Sequence, residues 1–186
     1  MKKILKTKQE GLTLIELVAG LAIVAAVIVG ALALFQNVNT TQKSGQIVTD
    51  TTALRTTIRH LYNSTGRYEP VNANINNVLA RSGKLPTNIR AETSGATTSL
   101  SHSFNNQINA IAMGTWFYVQ YDGIPQDACL NVLTGSASWS RITVNMPPTG
   151  PMQPLSGSVL QTPINATGAL NACSSDENNT IYFVSN

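Results

Sequence analysis

Between Leu12 and Phe35 the chain reads LTLIELVAGLAIVAAVIVGALALF, with Thr13 and Glu16 as its only clearly polar side chains. As a helix rising about 1.5 Å per residue, that run forms a rod about 36 Å long, enough to cross a hydrocarbon layer about 30 Å thick. Past Phe35 the pattern turns from continuous to periodic. Ile47, Leu54 and Leu61 recur at heptad spacing, with Ile58 and Tyr62 on the same side and Arg55, Arg59 and His60 largely off it. This predicts an amphipathic continuation of the same helix. Ser64, Thr65 and Gly66 supply a stop, with Gly66 as the C-terminal cap, so one helix is expected over about 12–65. Its middle, Asn37 to Gly45, is rich in weak helix formers, and a bend or fraying is expected there.

After the helix the pattern becomes polar and short in period. Asn74 to Ser82 reads as a short helix with Asn at its start and Gly83 at its end, inside an otherwise linking region, and Pro86 forces an extended exit. Strands are expected from about Ser99 onward. The densest run of aromatic and β-branched residues is Thr115 to Tyr121, stopped by Asp122 and Gly123, and Trp139 to Val144 and Thr180 to Val184 are two more. Met146 to Pro154, with Pro147, Pro148, Pro151 and Pro154, is a loop. No internal repeat is visible. The fold class expected is α+β, a long N-terminal helix packed by its apolar stripe on an antiparallel sheet.

Composition sharpens this picture. Charged residues make up only 11% of the chain, against about 25% in an ordinary globular domain. The net charge of +3 is not spread evenly. Lys2, Lys3, Lys6 and Lys8 precede Leu12 with only Glu10 opposing them, and the charges beyond Leu12 cancel. A basic surface for nucleic acid is therefore not expected. By the positive-inside rule the lysines hold the N-terminus in the cytoplasm and the rest is exported.

Three interpretations of the N-terminus compete. Ala31, Leu32 and Ala33 form a small-x-small site for an ordinary secretory signal, although the apolar run before it is long and carries a carboxylate. A plain uncleaved anchor is the second. The third begins from Lys8-Gln9-Glu10-Gly11-Leu12-Thr13-Leu14-Ile15-Glu16-Leu17, where a glycine closes the charged leader and a glutamate sits inside the apolar run. This stretch resembles the prepilin motif of type IV pilins and pseudopilins. The resemblance implies that a prepilin peptidase cuts after Gly11, and that Leu12 becomes the methylated first residue of the mature chain. It also implies that Glu16 serves assembly, its carboxylate facing the new amine of a neighbouring subunit's Leu12. An ionisable group in an apolar span is costly enough to demand such a partner, and the attraction strengthens at low dielectric.

Cys129 and Cys173 are the only cysteines and both lie in the exported part. Their parity and compartment favour a bridge holding the C-terminal strand region onto the sheet, against the alternative of two buried thiols. In the resemblance they bracket the region 129–173 that pilins expose on the filament. Their contexts, Ile124 to Cys129 and Leu170 to Cys173, resemble those of type IVb pilins. Catalytic motifs are missing, and His60 and His102 are isolated in sequence. Neither a cofactor nor a metal is expected, and the acids Asp176 and Glu177 suit a solvated turn better than a calcium site. Trp116, Phe117, Tyr118 and Trp139 suit core packing better than a receptor surface.

The expected organisation is a leader over 1–11, a transmembrane and filament-core half over 12–35, an amphipathic half over 36–66, and a head over 67–186. The expected function is that of a homopolymeric pilus subunit for adhesion, aggregation or conjugation, and not an enzyme. Its partners would be itself, a prepilin peptidase, assembly machinery in the inner and outer membranes, and a host or bacterial surface. The head would lie in the periplasm before assembly and outside the cell afterwards. A type II secretion pseudopilin and a non-polymerising anchored periplasmic protein are the alternatives.

Overall fold

A computed structural model describes residues 13–151 and 159–186. The chain divides into two units, 1–39 and 40–186, and helix α1, Leu14–Leu61, belongs to both. In the first unit every described residue from 13 to 35 is exposed, including Leu14 at 82%, Val18 at 53% and Phe35 at 69%. The expected weakness over Asn37 to Gly45 does not interrupt the helix. Side-chain hydroxyls turn back onto carbonyls one turn earlier, Ser44 onto Thr40, Thr49 onto Gly45 and Thr52 onto Val48. Such hydroxyls are satisfied without leaving the helical backbone.

In the second unit the stripe behaves as its spacing predicts. Ile47, Leu54 and Ile58 are fully buried, and Leu61 and Tyr62 pack at the margin of the same core. Arg59 and His60 are exposed, but Arg55 corrects the expectation. Its Nε donates to Ser185 Oγ at 3.0 Å and its guanidinium lies 5.8 Å from the Trp139 ring centroid. An arginine can cover apolar surface with its stem while its planar head stacks on a ring, so a charge symbol alone does not fix its face. Burial lowers the pKa of Arg55 and raises that of the buried Asp50, whose Oδ1 accepts from Asn88. The helix ends at Leu61, and Gly66, at φ +65°, donates its N–H to Tyr62 O. This left-handed glycine closes the last turn as a cap.

Among the described residues eight strands form one sheet. They are β1 Tyr68–Asn74, β2 Arg90–Ser94, β3 Thr97–Ser101, β4 Gln107–Gly114, β5 Phe117–Ile124, β6 Arg141–Val144, β7 Val159–Leu160 and β8 Asn179–Ser185. The order is β2-β3-β4-β5-β8-β6-β7, with β1 also on β4, and all pairs are antiparallel. Among the described residues three short helices accompany it, α2 Asn76–Arg81, α3 Gln126–Gly135 and α4 Ala166–Ala172. Strand β1 occupies the segment read as a linker. Its sequence, YEPVNAN, carries a proline and two asparagines, and its residues are mostly exposed, which suits an edge and hides the strand from a propensity argument.

Strands β1 and β3 share one edge of β4. Strand β3 pairs through Leu100↔Ile108 and Ser101↔Gln107, and β1 through Asn74↔Ile111 and beyond. Between them the Asn76 side chain stands in for a strand residue. Its Nδ2 donates to Ile108 O at 2.8 Å and its Oδ1 accepts from Ala110 N at 3.0 Å. One buried amide thus supplies the donor and acceptor that the ladder lacks.

The apolar positions of β4 and β5 alternate as a half-buried sheet requires: Ile108, Ala110, Ala112, Phe117, Val119 and Tyr121 are all buried. Phe117, Trp139, Phe183 and Tyr121 follow one another in ring contacts at centroid separations of 6.2, 5.3 and 5.7 Å. Strand β5 does not stop at Asp122 and Gly123 but runs to Ile124, with a register shift against β8 between Tyr121 and Ile124. Gly123 takes φ +64° there, and a Cβ on it would collide with the Asn106 amide. A turn signal has become a bulge, where glycine supplies a left-handed residue within a continuing strand. Replacing Gly123 with Ala is expected to cost about 2 kcal/mol and lower the melting temperature by about 4–8 °C. Thermal unfolding followed by circular dichroism checks this, and an unchanged midpoint would remove the bulge from the stability argument.

Candidate functional site

Gly11 and Leu12 lie outside the described residues. The first candidate residue that is described, Glu16, sits in the first turn of α1. Thr13 precedes the helix and accepts the N–H groups of Glu16 and Leu17 on its carbonyl at 3.0 and 3.1 Å. Its hydroxyl donates to Glu16 Oε2 at 3.3 Å. A carboxylate in this position is favoured by the unpaired N–H groups and dipole at the helix N-terminus. Glu16 is therefore compatible with two roles, local capping and a charge held for a partner. Among the described residues no cation reaches it.

The second candidate pair is joined: Cys129 and Cys173 form a disulfide with Cα atoms 6.0 Å apart. The bond connects α3 to the end of α4, not a strand to the sheet as expected. Neither helix was anticipated from sequence. Pro125 precedes α3, and α4 has Asn165 as its N-cap, its Oδ1 accepting from Gly168 N at 2.7 Å. The bridge closes the neck of a long excursion. Strand β5 ends at Ile124 and β8 begins at Asn179, these two residues are register partners, and the segment between them carries α3, β6, β7 and α4. Gln126 adds two links, N–H to Asp176 O at 3.0 Å and Nε2 to Cys173 O at 3.0 Å.

Asn179 is the residue of this neck that sequence reasoning missed. It is fully buried. Its Nδ2 donates to Ile124 O at 3.2 Å and to Ser175 O at 2.6 Å, while its Oδ1 accepts from Ser175 N at 3.1 Å and Asn145 Nδ2 at 3.1 Å. All four bonds available to an amide are made. Asn145, at φ +56°, reciprocates by accepting Thr180 N on its own side chain. The only sequence signal was a pair of asparagines, Asn178 and Asn179, beginning a strand, which reads equally well as a turn.

No group of three or more His, Cys, Asp or Glu side chains suited to a metal occurs among the described residues. His102 is buried and committed. Its Nε2–H donates to Asp122 O at 2.8 Å and its Nδ1 accepts from Phe104 N at 3.2 Å, which fixes one neutral tautomer. Burial lowers its pKa, partly offset by Asp122. Phe117 and Trp139 are in the core, as alternation suggested.

Removing the bridge with Cys129→Ser and Cys173→Ser together is expected to cost up to about 4 kcal/mol, the chain-entropy value for a loop of this length. Asn179→Leu strands buried backbone groups at the same neck and is expected to cost about 2–4 kcal/mol. Limited proteolysis should then cut first within 125–178. Cleavage elsewhere at the same rate would show that the neck is not what holds the excursion.

The comparisons with known proteins agree with this architecture. The family model described as PilS N terminal matches residues 41–186, and the prokaryotic N-terminal methylation motif matches residues 6–32. No curated protein matches significantly. Among solved structures, the chain is similar to TcpA, a type IV pilin from Vibrio cholerae El Tor biotype, with TM-score 0.56 and 16% identity over 79% of this chain and 99% of that one. It is also similar to the type IV b pilin from Salmonella typhi, with TM-score 0.52 and 18% identity over 76% of this chain and 96% of that one. With the methylation motif at one end, the family match over the head and this shared fold, the chain belongs to the PilS N-terminal family and is a type IV pilin, a structural subunit of a pilus.

Proposed function

We propose that this pilin is made with a leader over 1–11, that a prepilin peptidase cuts after Gly11, and that the mature chain starts at a methylated Leu12. The single observation that carries the assembly part is the exposure of every described residue from 13 to 35. So many adjacent large apolar side chains exceed what a protein leaves to water. Before assembly the inner membrane covers them and the head is periplasmic. After assembly, neighbouring copies cover them in an extracellular filament used for adhesion, aggregation or conjugation, raised by machinery in both membranes.

Within that filament Glu16 pairs with the amine of a neighbour's Leu12. The cost of leaving a carboxylate unpaired in apolar surroundings supports this. The processing claim is checked by intact mass and N-terminal sequencing of exported protein, where Leu12 is expected. A start at Leu34 would mean an ordinary secretory signal, and an intact Met1 a simple anchor.

Glu16→Gln separates capping from charge, because the amide oxygen still accepts the Thr13 hydroxyl while the attraction to an amine is lost. Mature subunit should accumulate in the membrane at its normal level, with filaments reduced at least about tenfold, the effect of losing about 1.4 kcal/mol per subunit contact. Immunoblots of membrane and sheared fractions from the same cells read both quantities. Normal filament yield with Glu16→Gln as the only subunit would refute the charge pairing.

A further inference from the structure

Four asparagines in the chain are followed two residues later by threonine: Asn39, Asn63, Asn165 and Asn178. In an exported segment Asn-x-Thr is the acceptor pattern for N-linked sugar. The structure separates the four. Asn39 lies within α1. Asn165 uses its side-chain oxygen to cap α4. Asn63 is exposed but follows apolar Leu61 by two residues, so no charge accompanies it. Asn178 is exposed and follows an exposed acid, Asp176, by two residues. Its backbone N–H donates to Ser175 Oγ at 3.2 Å, and its side-chain amide has no hydrogen-bond partner among the described residues.

In the folded head this pattern is closed on one side. Asn179, the middle residue of the tripeptide, is fully buried and bonds both the carbonyl and the N–H of Ser175. Thr180 Oγ1 donates to Asp122 Oδ1 at 3.0 Å, and Thr180 N donates to Asn145 Oδ1 at 2.8 Å. An enzyme that reads the asparagine amide and the threonine hydroxyl together finds the hydroxyl already engaged. In the unfolded chain it is free. Strand β8 lies between β5 and β6, so Thr180 reaches its place only when that strand inserts, and long-range pairing of this kind forms slowly. The exposed Asn178 amide keeps a sugar attached earlier outside the neck once it closes.

We infer that Asn178 is an N-glycosylation acceptor, modified by an oligosaccharyltransferase on the exported chain before β8 inserts. The donor is a polyprenyl-diphosphate-linked oligosaccharide. A bond forms between Asn178 Nδ2 and C1 of the first sugar, and the C1–O bond to the diphosphate breaks. The polyprenyl diphosphate leaves with that electron pair, and the amide proton passes to a carboxylate of the transferase. Nothing is oxidised or reduced. Asp176 places a charge beside the acceptor, and the Thr180 hydroxyl, not yet bonded to Asp122, supplies the second contact. This goes beyond the pilus reading and rests on it only for the export of the head.

The test expresses the full chain in an exporting bacterium supplied with an oligosaccharyltransferase and an undecaprenyl-diphosphate-linked oligosaccharide of known mass, in which an exported control acceptor is modified. Intact mass should show one added oligosaccharide, and peptide mapping should place it on Asn178. Mass is read on denatured protein, so a variant that fails to fold still reports. Asn178→Gln and Thr180→Val should abolish the addition, and Thr180→Ser should retain it. Asp176→Asn should lower occupancy at least about tenfold, the weight of one hydrogen bond to a charged group. Cys129→Ser with Cys173→Ser, which delays closure of the neck, should raise it. Purified folded protein offered to the same enzyme and donor should stay unmodified. Thiol labelling reads the bridge in parallel. Wild-type protein that is bridged but carries no sugar, sugar on Asn63 instead, or equal modification of the folded protein would overturn the inference. Protein neither bridged nor modified would contradict the export of the head, and the inference with it.

Discussion

The constraint on which this protein turns is that the apolar surface of residues 13–35 finds no cover within its own described chain. Burial of apolar area contributes roughly 25 cal/mol per Å², so a helix half made of Leu, Ile, Val and Phe carries a large unmet driving force. Only a hydrocarbon layer or other copies of the same helix meets it on such a scale. A pilin uses both in turn. On the proposed pairing, the polar exception, Glu16, matters because in apolar surroundings a charge that needs a partner distinguishes one axial register from another.

The head solves a different problem. Its last strand, β8, lies between β5 and β6, so β5 and β8 pair across the whole of segment 125–178, which itself contributes β6 and β7 to the sheet. Long-range pairing of that kind closes a large loop before any contact offsets its entropy. The Cys129–Cys173 bond shortens that loop in the unfolded chain, and the saturated Asn179 amide fixes its two ends in the folded one. Inside the neck, β6 and β7 rejoin the sheet through β8 and bury Ile142 and Val144 in the core, while the bridge ties α3 to the end of α4.

Much of this was legible where a physical signal is redundant along the chain. The apolar run, the heptad spacing of Ile47, Leu54 and Leu61, and the left-handed Gly66 each restate one helix. Strands rich in rings, such as Trp139 to Val144 and Thr180 to Val184, were visible for the same reason. What escaped is decided by partners far away in sequence. Strand β1 is a strand because β4 offers an edge, not because YEPVNAN prefers one. Arg55 turns inward because Trp139 and Ser185 are there to receive it. Asp122 and Gly123 look like a stop until Asn106 shows that the strand bulges and continues.

A helical reconstruction of the filament by cryo-electron microscopy, at a resolution that shows side chains, decides whether one charge pair sets the assembly. Residues 13–35 of adjacent subunits should bury one another in the filament core. The Glu16 carboxylate of each subunit should lie within about 4 Å of the Leu12 amine of a neighbour, the separation at which an ion pair is formed. A core in which Glu16 faces solvent, or pairs only with Thr13 of its own chain, would contradict a charge-set register and leave apolar packing alone to hold the subunits together.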